Sequence, residues 1–488
     1  MHKIETLFEL IKSLSRTEKR YFKLHSAGSK SANYLLLFNA IDKQDVYDEQ
    51  ALRRKFAGKT FVKQLHVIKN YLYSQILESL RLYHSNISHQ AKLHDLIREA
   101  EILFRRDLLK ACEKHLQRAE KLARQFENDS QLLIILQWQR KLILRVSGAG
   151  MAKEKLNEIS GNISICLKRL FQVSDYWNIT INFFDIYSNA GPNEFRKKYD
   201  RDTASEPLGH HAQVLHNYIG QTLSFVENIP GEAMRATNEL IEYLESRPEF
   251  ISDDPTTYVT ALNNKISVCL RQKKYKEIPP LLQRIRSIPE TFGVDPRGVS
   301  AIKMTVHTFN VELEMYRDTN DIIAGMKLID QIKAYLKKYQ KRIPGTYQFL
   351  LYYQFASLYF LNKEYDSALE WVNRITAIPA AEVRQDIRKQ AELMRLIIHY
   401  ELNNITVLRY AVANCRKFLQ RRNQYGNYEK ELLKLFSRLC TLPFSDHLSA
   451  FQSTYDELFS TDISKEVKNE LDYLNFADWI ADHLKKLS

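Results

Sequence analysis

The sequence predicts an all-α protein built as a stack of antiparallel helix pairs, on three observations. The 488 residues are 44% hydrophobic yet include only 14 glycines and 12 prolines, well under average usage of roughly 7% and 5%, which disfavours a turn-rich β fold. Apolar residues recur at spacings of three and four through most of the chain, as one buried face of a helix requires. A pattern also returns: KKYKEIPPLLQRIRSIP sets Tyr275, Ile278, Leu282, Ile285 and Pro289 where Tyr365, Ala368, Val372, Ile375 and Pro379 stand, at an offset of 90. Repetition of this kind specifies an architecture far better than a task, because arrays of helix pairs hold many unrelated partners.

In chain order, residues 1–84 read as a compact N-terminal module of five helices. A short amphipathic helix over 3–14 leads to Ser15-Arg16-Thr17-Glu18, a capping box in which hydroxyl and carboxylate reciprocally satisfy free amides. Helices are expected from Arg16 to His25, from Asn33 to Ile41, and from the cap Asp48 to Phe56, which Gly58 ends. A longer one is expected from Phe61 to Tyr83, with Phe61, Leu65, Ile68, Leu72, Ile76, Leu80 and Tyr83 on one stripe.

From 85 to 440 the chain settles into pairs. Leu109, Cys112, Leu116 and Ala119 follow a turn at Asp107; Ala233, Ala236, Leu240, Tyr243 and Pro248 form another second helix, opened by the Pro230-Gly231 turn. Turns near 275, 320, 365 and 404 imply units of 40 to 45 residues. Residues 188–207, SNAGPNEFRKKYDRDTASEP, break the period and predict a long loop. Residues 441–488 turn acidic and end in a helix with Tyr473, Phe476, Ala477, Ile480 and Leu484 on one face, suited to capping an open stack.

The stretch YYQFASLYFLNKEYDSALEWVNRITAIP, Tyr352 to Pro379, resembles the tetratricopeptide repeat. Tyr352 stands at the Trp position of that consensus, Phe355-Ala356 at Leu-Gly, Tyr359 at Tyr, Ala368 and Val372 at Ala and Phe, and Pro379 close to the final Pro. The resemblance implies a right-handed superhelix of lengthened units, with the first helix of each lining a concave groove. It further implies that residues one after the Trp site and one after the Gly site point into that groove. Carried over, these are Tyr353 and Ser357, with Phe360 a turn further on, and Asn263 and Ser267 at the offset of 90. An amide and a hydroxyl suit a peptide backbone or a terminal carboxylate; Tyr and Phe offer contact area.

The expected function is therefore a non-enzymatic scaffold or adaptor for a peptide or helix of a protein partner. No P-loop, GxGxxG, GxSxG or HExxH motif occurs, and no catalytic residue or cofactor is expected. His94-Asp95 with Glu99 and Glu101 reads as a solvated helix face, and the adjacent His210 and His211 do not face one metal, so no metal site is expected. Five scattered cysteines without CxxC spacing read as buried thiols in a reducing compartment. No long apolar run predicts a membrane span, and charges interrupt MHKIETLFELIKSLSR, so a cytoplasmic location is expected.

The competing expectation is a nucleic-acid-associated regulator. The formal charge is +13, of which residues 1–84 carry +7 while 441–488 carry −5. Arg53, Arg54, Lys59, Lys63 and Lys69 gather about one turn of the N-terminal module, as phosphate contacts would. Cations interleaved with aromatics at Arg20-Tyr21-Phe22-Lys23, Lys273-Lys274-Tyr275-Lys276 and Lys337-Lys338-Tyr339 fit helix ends, where they complement the dipole.

Overall fold

The structure is a computed structural model that describes residues 2–26, 32–85, 88–190, 206–226, 230–296, 298–339, 342–377, 385–422, 424–458 and 476–487. Among the described residues the chain is helical with no strands. Its contacts divide it into two compact units, Met1–Gly220 and Gln221–Ser488.

In the first unit the N-terminal helices His2–Ser13, Arg16–Ser26, Ala32–Asp42, Glu49–Lys55 and Leu65–Tyr83 enclose a core of their own, with Ile11, Phe22, Tyr34, Phe38 and Leu72 fully inside. The expected capping box forms: Ser15 N–H donates to Glu18 Oε2 at 2.6 Å, and Glu18 N–H to Ser15 Oγ at 3.2 Å. His84, just past the last of these helices, reaches the same carboxylate at 2.7 Å and ties the module's two ends together. Asp48 caps its helix through Ala51 N–H, and Gly58 follows in the left-handed region at φ +85°. The long helix starts later than the apolar stripe suggests, because Thr60–Gln64 closes as a tighter 3₁₀ turn. The helices His89–Arg105, Leu109–Gln125, Asp129–Met151 and Lys153–Ala190 then pack each against the next around Leu93, Cys112, Leu116 and Ile135. Lys153–Ala190 absorbs the first three residues of the expected 188–207 loop. Residues 191–205 lie outside those described, as do Pro379 and Tyr473.

In the second unit the pairs are Pro230–Glu245 with Thr256–Arg271, Ile278–Thr291 with Val299–Asp318, then Ile322–Tyr339, Gly345–Leu361, Tyr365–Thr376, Gln385–Glu401, Ile405–Arg421, Asn427–Leu439, His447–Leu458 and Phe476–Leu487. Each long helix packs on the next, and Val299–Asp318, Gly345–Leu361 and Gln385–Glu401 also touch one another in succession. Four turns share one geometry. Lys273, Asn320, Lys363 and Asn403 take positive φ of 54°, 56°, 62° and 55°. In each, the amide one residue on bonds the carbonyl five residues before it: Lys274 to Cys269 at 2.8 Å, and Asp321 to Tyr316, Glu364 to Tyr359 and Asn404 to His399 at 2.9 Å. This is a Schellman closure, which satisfies carbonyls that a helix end leaves free. Asp107 closes the same way in the first unit, at φ 58°.

Pro230 opens its helix as expected, but two other prolines behave differently. Pro248 opens the next helix rather than closing the one before, since a first-turn residue has no amide to lose. Pro289 lies inside the last turn of Ile278–Thr291. At the C-terminal end, Phe476, Trp479 and Ile480 are buried and continuous with the core that runs back to Ile302.

Candidate functional site

The four equivalent turns give a common register for the helices before them. Ten residues ahead of each left-handed residue stand Asn263, Asn310, Tyr353 and Leu393; six ahead stand Ser267, Glu314, Ser357 and Ile397. The expected groove residues thus fall on one repeated face, with a member between them, on Val299–Asp318, that the offset of 90 steps over.

Their environments differ. Tyr353, Ser357 and Phe360 are buried, at 3%, 0% and 8% exposure. This corrects the expectation that they line an open groove: residues 351–360 are buried on every side, as a helix that is apolar all round must be. The Ser357 hydroxyl donates back to the Tyr353 carbonyl at 3.0 Å. Ser267 is exposed and makes the equivalent bond to Asn263 at 3.1 Å. The Oδ1 of Asn263 and that of Asn310 are both buried without a hydrogen-bond donor among the described residues. Asn310, 7% exposed, uses its Nδ2 on the Val306 carbonyl at 3.3 Å, which leaves the oxygen facing elsewhere.

Around Asn310 the same helix face presents His307, Glu314 and Arg317 at spacings of three and four. His307 is half-buried, and burial lowers its pKa, so the imidazole is neutral at pH 7. Burial raises the Glu314 carboxyl above its ordinary value against the opposing pull of Arg317. Arg317 hydrogen-bonds Asp318 at 2.9 and 3.1 Å and Gln354 at 3.2 Å, while its nearest approach to Glu314 is 3.9 Å. Glu314 is thus a half-buried carboxylate with no hydrogen bond among the described residues. Tyr275 faces this end as well, its hydroxyl pKa raised by burial and by Asp318. Beside Asn263, Asn264 donates to Gln221 at 2.7 Å, and Gln221 donates to Thr237, so that neighbouring network is closed.

The N-terminal cations are only partly free. Glu49 takes both Lys69, which is 6% exposed, and Arg53, at 2.8 Å. The hydrogen bond from Lys69 is the chief reason the Glu49 carboxyl sits below its usual range. Lys69 therefore serves the module's own packing, while Arg53 stays exposed in a surface pair with Glu49. Arg54, Lys55, Lys59 and Lys63 remain exposed about Gly58, Arg54 lying 3.9 Å from Asp48.

The other candidate clusters disperse. His94 contacts Gln131, Glu99 pairs with His115 and Glu101 with Arg105; His216 lies 3.4 Å from the Tyr176 hydroxyl. No group of three or more metal-ligating side chains occurs among the described residues. All five cysteines are free and buried, and burial pushes Cys269 up to about 11 and Cys415 up to about 12, far from a reactive thiolate. No described helix is long and apolar enough to cross a membrane. No protein-family model matches the chain, and no curated protein matches it significantly.

Proposed function

We propose that this chain is a non-enzymatic adaptor, in which Gln221–Ser488 forms a right-handed, tetratricopeptide-like superhelix that holds an extended segment of a protein partner on its concave face. Several features support the repeat. The same closure recurs at 273, 320, 363 and 403, and the first helices Val299–Asp318, Gly345–Leu361 and Gln385–Glu401 touch in succession as well as touching their own partners. Gly325 occupies the small-residue position that Ala368 fills 43 residues on. A Cβ there would meet the Leu358 methyls at 3.0 and 3.1 Å, so close helix packing is what selects the small residue.

The observation that carries the binding role is the pair Asn263 and Asn310. Two side-chain amides at one register, each with a buried oxygen lacking a donor, cost stability unless something supplies the hydrogen bond. Backbone N–H groups of an extended segment supply it where binding uncovers these oxygens, both of which are closed off from solvent in the unbound chain. A cytoplasmic location belongs to this reading, in keeping with five unpaired thiols.

The test is to pan a display library of random 12-residue peptides on the full chain and on Asn263→Ala/Asn310→Ala. Peptides should enrich on the parent and lose affinity at least tenfold on the variant, whose circular dichroism is unchanged. Failure to enrich, or equal affinity for both proteins, removes the concave face as the site.

The nucleic-acid reading rests chiefly on the exposed Arg54, Lys59 and Lys63, since Glu49 buries Lys69 and neutralises the exposed Arg53. If they contact phosphates, Lys63→Ala lowers the slope of log K against log salt for duplex DNA by about one, and Arg53→Ala leaves it unchanged. Equal slopes for all three proteins would dismiss the module as a nucleic-acid surface.

A further inference from the structure

Resting on the adaptor reading, we propose that the captured segment is basic: the head of a lysine or arginine side chain seats between Asn310 and Glu314, with His307 at the edge of the site. The lining is short of donors and rich in acceptors. Asn310 Oδ1 has no donor, Asn263 Oδ1 has none at the equivalent place on Thr256–Arg271, and the Glu314 carboxylate, though ion-paired with Arg317 at 3.9 Å, accepts no hydrogen bond among the described residues. The one strong donor nearby, Arg317, is already spent on Asp318 and Gln354. A ligand must therefore bring N–H groups to this face.

Charge decides which donors. Glu314 is held in a site where burial penalises its ionised form. A cation entering beside it compensates that penalty, whereas a neutral amide does so only in part. The neutral His307 offers a ring nitrogen as an acceptor and adds no opposing charge. Asn310 and Glu314 are four residues apart on one helix face, roughly 6 Å along the axis, a gap that an ammonium or guanidinium group can bridge with separate N–H groups. A terminal carboxylate, the other ligand for which asparagines are suited, would meet two unpaired amide oxygens and the like charge of Glu314. The same lining therefore disfavours an acidic or carboxylate-anchored segment.

The experiment continues the panning described above on the full chain. Enriched peptides should carry a lysine or arginine at a fixed position, and replacing that lysine by norleucine, or that arginine by citrulline, should weaken binding about 10- to 100-fold. Glu314→Gln should produce the same loss on the parent peptide and almost none on the norleucine or citrulline peptide, the coupling expected of a direct contact. Glu314→Asp should recover part of the affinity. Peptides that enrich without a fixed basic residue, or that bind Glu314→Gln as tightly as the parent while failing on Asn263→Ala/Asn310→Ala, overturn this proposal and leave the adaptor reading standing. If no peptide enriches at all, both fall.

Discussion

Replacing Asn310 by leucine separates a binding residue from a structural one. Leucine branches at the same carbon as asparagine, and Leu393 already stands at the same register two units on, fully buried. A buried amide oxygen without a donor costs about 1–3 kcal/mol. The substitution removes that cost and forfeits only the Nδ2 bond to the Val306 carbonyl, within the same helix and 3.3 Å long. After an allowance for the larger side chain, the net gain should be about 1 kcal/mol. For a domain of this size that raises Tm by roughly 2–4 °C. Differential scanning calorimetry of the full chain measures the gain, and fluorescence anisotropy with a panned peptide measures the accompanying loss of binding. A fall in Tm of several degrees would refute the reasoning, because it would mean that the amide oxygen already has a partner and that nothing is waiting for a ligand. A gain in Tm with binding intact would refute the site while leaving the packing argument in place.

Two further outcomes follow from the turns and from the buried acid. Lys363 holds φ at 62° without being glycine, so Lys363→Gly should stabilise by about 0.5–1 kcal/mol in a urea titration and Lys363→Val should destabilise by about 1–2 kcal/mol; the reverse order would show that this turn is not strained. The folded pKa of Glu314 lies above its ordinary 4.5, so the fold binds that proton more tightly than the unfolded chain does. The stabilisation is present below the unfolded value and is lost as pH rises through the folded one. Glu314→Gln should therefore raise Tm at pH 7, with the advantage shrinking as pH falls toward 4; an advantage that grows on acidification would contradict the assigned direction.

Most of the fold was legible because local chemistry and tertiary packing agree. The capping box at Ser15 and Glu18, the stripe through Leu72 and Ile76, and the turns near 275, 320, 365 and 404 are short-range signals that the structure retains. Proline was less legible. Whether it ends a helix or opens one depends on which neighbouring amide is needed, and Pro248 and Pro289 look alike in sequence. Burial by the fold also hid the fate of the basic cluster. Glu49 lies 20 residues from Lys69, and no local pattern shows that one carboxylate takes two of five cations.

The site was half legible, for a reason specific to the repeat. Matching second helices by their prolines joins 275 to 365 and passes over the unit between, whose second helix carries Gly325 where a pattern search looks for alanine and whose last turn lacks proline. Counting back from the turn residues instead reaches Asn310 from Asn320 by the interval that joins Asn263 to Lys273. The same count reaches Tyr353, but there composition should have overruled register. The run from Phe349 to Leu361 has few polar residues and none that stripe one face, and a helix that is apolar all round is enclosed on all sides. Val299–Asp318 has His307, Asn310, Glu314 and Arg317 along a single face of a partly buried helix. Polar residues kept at helical spacing beside a core, with the buried Asn310 oxygen lacking a donor, cost stability that apolar packing would have removed. The proposed binding role accounts for that expense, and it falls on the unit that the proline match passes over.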